Sequence, residues 1–181
     1  TPLHLAAYRN DIEMVKVLLS HGVNIDEPDG ENNTALMIAV GEGCVEMCHK
    51  LLEHGANVNI SNKLGGNALM IAARNGDTRL TKLLLQYNAD VHQTRNNSVL
   101  GQTAPHTGAF NNHVEICRIL LDYGANVNCQ TEDGVTPIFL ASQQGHKDVV
   151  EVLGALKANV NQSAGDGRTP LFVASLHNHI D

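Results

Sequence analysis

Ten histidines and four cysteines are the side chains here best suited to chemistry, as metal ligands, proton carriers or nucleophiles. Cys44 and Cys48 stand four apart, with His49 beside them. On a helix that spacing puts both thiols on one face, which would begin a zinc site. A closed site needs about four ligands, and no second pair stands at a fitting spacing. Cys48 and Cys117 also fall where other parts of the chain carry valine, so buried apolar packing is the expected role. His113, His146 and His179 recur at steps of 33 residues. If each step is one helical layer, these rings lie about 10 Å apart. Shared coordination needs bonds of about 2 Å. No metal and no cofactor is expected.

Catalytic signatures do not converge either. The sequence has no nucleophile elbow, P-loop, His-Glu-x-x-His motif or dinucleotide fingerprint. Its carboxylates are scattered, so no catalytic residue is assigned and an enzyme is not expected. The net charge of -7 opposes phosphate backbones, which disfavours nucleic acid and favours basic partner surfaces. No apolar run approaches the roughly 18–20 residues that span a bilayer, so membrane insertion is not expected. Thr1-Pro2-Leu3-His4 opens without a signal-peptide pattern. Four irregularly placed cysteines make no disulfide framework. An intracellular, most simply cytoplasmic, setting follows as the expectation. Asn32-Asn33-Thr34, Asn96-Asn97-Ser98 and Asn161-Gln162-Ser163 match glycosylation acceptors formally, but that setting leaves them unused.

The step of 33 residues organises the whole chain. Thr1-Pro2-Leu3-His4-Leu5-Ala6-Ala7 returns in related form from Thr34, Asn67, Thr103, Thr136 and Thr169. Four of the five intervals are 33 residues, and the one from Asn67 is 36, placing an insertion near Asn96-Asn97-Ser98. Thr at the cap and Pro at the first helical position start a short helix. It ends near Asn10, Gly43, Gly76, Asn112, Gly145 and Asn178. A second helix follows, with apolar residues at i, i+1, i+4 and i+5, such as Met14, Val15, Leu18 and Leu19, or Met47, Cys48, Leu51 and Leu52. Gly22, Gly55 and Gly124 close it, and Asp133-Gly134 and Asp166-Gly167 suit tight turns.

These residues resemble the ankyrin repeat. The pattern Thr-Pro-Leu-His-Leu-Ala-Ala, then Gly-His-Lys-Asp-Val-Val, then Gly-Ala-Asn-Val-Asn covers the chain. The resemblance implies an all-α solenoid of helix-turn-helix units with β-turn fingers. It predicts a single array, with repeats near 1–33, 34–66, 67–102, 103–135, 136–168 and a partial sixth at 169–181. The ends fall inside repeats, so a longer natural array is expected. Units four and five depart most, with Pro105, Thr107 and Gly108 for Leu, Leu and Ala, and Gly154 and Lys157 for Leu and Gly. These units are expected to open first. His4 and His106 are expected to link backbone groups rather than bind a ligand.

In this family a concave face built from first helices and fingertips holds protein partners. The matching first-helix positions are Tyr8, Arg9, Gly41, Glu42, Arg74, Asn75, Phe110, Asn111, Gln143 and Gln144. The matching fingertip positions include Lys63, Leu64, Val99, Leu100, Glu132, Asp133 and Arg168. They vary between repeats while the core positions do not. Tyr8, Arg74 and Phe110 are the strongest anchors, because aromatic residues and Arg dominate binding hot spots. Leu64, Val99, Leu100 and Phe110 are candidates for an apolar patch. The expected function is therefore a monomeric protein-interaction scaffold or adaptor. The alternative is a targeting or substrate-receptor array joined to a catalytic or ubiquitin-ligase-associated domain. Asn59, Asn128 and Asn161 each follow a leucine by eight residues. That spacing resembles substrates of the asparaginyl hydroxylase acting on this family, beside a plainer role in bracing turns.

Overall fold

The computed structural model describes residues 1–95 and 101–179. Among these, eleven helices and no strands form, in the order short helix, turn, second helix, finger. The insertion near Asn96-Asn97-Ser98 lies outside the described residues, as do Val99 and Leu100. The chain divides into two compact units, Thr1–Asp90 and Val91–Asp181.

In the first unit α1 (Pro2–Tyr8), α3 (Ala35–Gly41) and α5 (Ala68–Asn75) pack side by side as one layer. Behind them lie α2 (Ile12–Ser20), α4 (Val45–Glu53) and α6 (Thr78–Gln86). The second unit repeats the plan with α7 (Ala104–Phe110), α9 (Pro137–Gln144) and α11 (Pro170–Leu176) in front, and α8 (Val114–Asp122) and α10 (Lys147–Ala155) behind.

Local chemistry sets these boundaries. Thr34, Asn67, Thr136 and Thr169 cap their helices by accepting from the backbone N–H three residues on. Asn67 does at 2.9 Å what threonine does elsewhere. At Thr103 the backbone N–H donates to His106 Nδ1 at 3.2 Å, closing the cap from the other side. Each first helix stops where a residue takes positive φ, and Asn10, Gly43, Gly76, Asn112, Gly145 and Asn178 all do so.

The core is the seam between layers. Leu3, Leu36, Leu69 and Ile138 are all but fully buried at one repeat position. Pro105 fills that place in α7 and is buried too, so the lost leucine is partly compensated. Thr107 is half-buried at a position whose burial varies, since Leu140 and Val173 are buried there. Leu5 there is 49% exposed, and Ile38 and Ile71 are half-buried. Thr81 is buried at a valine-like position and donates its hydroxyl to the Asp77 carbonyl at 2.8 Å. The second-helix stripe also needs correction at α2. There only Val15 is buried and Met14 is 47% exposed, whereas Met47, Cys48, Leu51 and Leu52 of α4 are all buried. The pattern marks a face; a neighbouring layer on that face is what buries it.

Candidate functional site

Fingers are set by hydrogen bonds across their necks. Asp29 N–H donates to Asn33 O, Asn62 N–H to Gly66 O, Thr131 N–H to Val135 O and Ala164 N–H to Arg168 O, all at 2.9 Å. Asp29 adds a carboxylate that accepts from the Glu31 and Asn33 backbones at 2.8 Å. Slight burial works to raise its pKa, but the Asn33 bonds outweigh that and hold it below the usual value. Adjacent fingers are pinned together within each unit. Lys63 N–H donates to Glu31 O at 3.0 Å, and Gly165 N–H to Asp133 O at 2.7 Å.

The histidines at the helix starts tie fingers to helices. His4 Nδ1 meets the Thr1 hydroxyl at 2.5 Å and its Nε2 meets Asn33 O at 2.8 Å. His106 Nε2 donates to Val135 O at 3.0 Å while its Nδ1 accepts from Thr103. That bonding suits one neutral tautomer, and burial drives the His106 pKa down to about 4. His146 Nε2 meets Phe110 O at 2.9 Å. These rings work as struts. Burial pushes the Cys48 and Cys117 thiols up to about 12, so both stay protonated and packed. No group of three or more metal-ligating side chains forms among the described residues.

The side chains read as a binding face separate into two roles. Tyr8, Glu42 and Arg74 line one open groove of about 520 Å³ in the first unit. Its floor is Leu5, Met37, Ile38 and Ile71. Asp133, Gln143 and Arg168 line another, of about 530 Å³, in the second unit, over Val135, Phe139 and Leu140. Arg9, Lys63, Leu64, Phe110, Glu132 and Gln144 are exposed outside those grooves. Lys63 Nζ stands 3.8 Å from Glu31, and Arg168 Nε 2.5 Å from Asp166, so both cations are already answered in part. Asn75 and Asn111 also bond within the stack. Asn75 donates across to Gly41 O at 3.3 Å, and Asn111 back to Thr107 O at 2.8 Å. Leu100 lies outside the described residues.

Sequence reasoning missed the apolar floor of the first groove. Leu5, Ile38 and Ile71 looked like core because every repeat is apolar or Thr there. Leu140 and Val173 are buried at the same repeat position, so no local signal separates the two cases.

Asn59 and Asn128 brace consecutive repeats. Asn59 Oδ1 accepts from Asp90 N–H at 2.9 Å, and Asn128 Oδ1 from Asn159 N–H at 2.7 Å. Asp26 does the same for Asn57 at 2.9 Å. Asn161 is exposed, and its own N–H donates to Asn159 Oδ1 at 3.1 Å.

Comparison with known proteins agrees with this geometry. A family model for ankyrin repeats, in three copies, matches residues 1–62, 57–131 and 123–181. The human ankyrin repeat and SOCS box protein 3 is 40% identical over 50 residues, which is 28% of this chain and 10% of that protein. Its bovine counterpart is 42% identical over 48 residues, 26% of this chain and 9% of that protein. The matched stretch thus spans about a tenth of either relative. No described helix is long and apolar enough to cross a membrane.

Proposed function

The chain belongs to the ankyrin-repeat family, a protein-interaction fold, and from that premise we propose that it is a scaffold or adaptor holding a partner protein on the surface that first helices and fingers make within each unit. The observation that carries this reading is the pair of grooves. Each is lined by fingertip or first-helix side chains that differ between repeats, on a backbone that does not. A rigid frame with variable side chains gives specificity without reshaping the fold. Tyr8 and Arg74 at the first groove, and Phe110 on the other unit, are the anchors, and the grooves' polar lining fixes orientation. Alanine at these three positions should remove a protein that the chain retains from lysate. Alanine at Arg79 and Arg118, exposed on second helices, should leave it bound.

A second reading draws on the relatives whose name joins ankyrin repeats to a SOCS box. In it the array is the targeting or substrate-receptor part of a protein with a catalytic or ubiquitin-ligase-associated domain. Its mark would be ligase subunits held by a longer form of the protein and unaffected by the triple alanine variant.

A further inference from the structure

We propose that Gly41 opens a notch that receives an aromatic side chain of the partner, beside a basic residue; this rests on the binding face proposed above. Position eight of the repeat carries Tyr8, Gly41, Arg74, Phe110, Gln143 and Leu176 in turn. Every other repeat projects a side chain there, and Gly41 alone projects none. A methyl built on Gly41 would meet no atom within 4 Å. The glycine is therefore not forced by crowding. Nor is it forced by the backbone, because Gly41 is the last residue of a regular helix and is not among the positive-φ positions. Alanine would suit that helix better. The missing side chain leaves space in the groove and gives the fold nothing in return.

The walls of that space choose its occupant. Tyr8, 59% exposed, and Arg74 line the same groove, over the half-buried Ile38 and Ile71. An aromatic ring matches both walls, edge or face against Tyr8 and face against a guanidinium. The apolar floor takes the ring's remaining surface. Glu42, exposed beside the notch, supplies a negative charge at its mouth. The chain as a whole carries -7. The groove thus holds one charge of each sign: the Arg74 guanidinium takes the ring, and Glu42, next to Gly41 in the chain, favours Lys or Arg beside the partner's aromatic residue.

The test uses the folded chain and a phage-displayed library of random peptides. Peptides selected on the wild-type chain should share an adjacent aromatic–basic pair. Gly41→Leu fills the notch and should weaken them by about tenfold or more in fluorescence anisotropy, with Gly41→Ala intermediate. Both variants should melt no lower than the wild type, which separates a blocked site from a damaged fold. Glu42→Gln should weaken the same peptides and make binding less sensitive to salt. The notch is refuted if selected peptides lose binding with Tyr8→Ala or Phe110→Ala, yet lack the pair and ignore Gly41→Leu. The binding-face reading survives that result. Peptides that bind but ignore all of these substitutions would refute both readings.

Discussion

Lys157 takes φ 69° where Gly22, Gly55 and Gly124 end the other second helices, and Asn88 does so at 62°. A side chain with a Cβ is strained there by about 1 kcal/mol, less so for Asn. Lys157→Gly should therefore raise stability by about 1 kcal/mol, visible as a higher melting temperature; an unchanged or lower one would contradict the assigned backbone. His106 makes the opposite kind of statement. Burial depresses its folded pKa to about 4, against the 6.5 of an exposed ring. Between those values the unfolded chain binds a proton that the folded chain does not. Its contribution is fully present above pH 6.5 and is lost as pH falls toward 4, by on the order of 3 kcal/mol at most. Denaturant titrations at several pH values should show that slope, and His106→Gln should flatten it at some cost in stability at neutral pH. An equally steep slope in the variant would place the titration elsewhere.

Among the helices, α7 is the weakest by composition. Its seven residues include Pro105, Thr107 and Gly108. Gly108 has packed so closely that an added methyl would sit 3.2 Å from Ile116 Cγ2. Glycine in a helix costs about 1 kcal/mol against alanine, while Pro105 lies in the first turn, where its missing N–H costs little. Amides of α7 should exchange with solvent faster than those of α9 in the same unit, whose buried residues include Ile138, Phe139 and Leu140. Equal protection would mean that packing fully offsets the poor helix. At this scale much was legible in the sequence. The caps at Thr34, Asn67 and Thr136, and the stops at Asn10, Gly76 and Asn112, each follow from one residue's own chemistry. The half-exposed stripe through Leu5, Ile38 and Ile71 was not legible, nor was the exposure of Met14. An apolar residue announces which face it lies on, while its burial depends on what the next layer brings against it. The asparagines Asn59 and Asn128 were foreseen as hydroxylation positions or turn supports, not as links between repeats. Their bonds reach the following repeat, a partner that local sequence does not name.

Across the whole molecule, the repeat period determined the fold class, and the same regularity hides the partner. Core positions repeat because each layer must match its neighbours. The positions proposed to bind, such as Tyr8, Arg74, Phe110 and Gln143, differ from repeat to repeat. That variation supports the functional reading, and a few such residues are expected to hold most of the binding energy. The direct measurement is capture from cell lysate, read by mass spectrometry. It compares the wild-type chain with the Tyr8→Ala, Arg74→Ala, Phe110→Ala variant, both shown to be folded by circular dichroism. The account predicts a protein retained by the wild type and lost from the variant. A protein retained equally by both would put the binding surface elsewhere and contradict it.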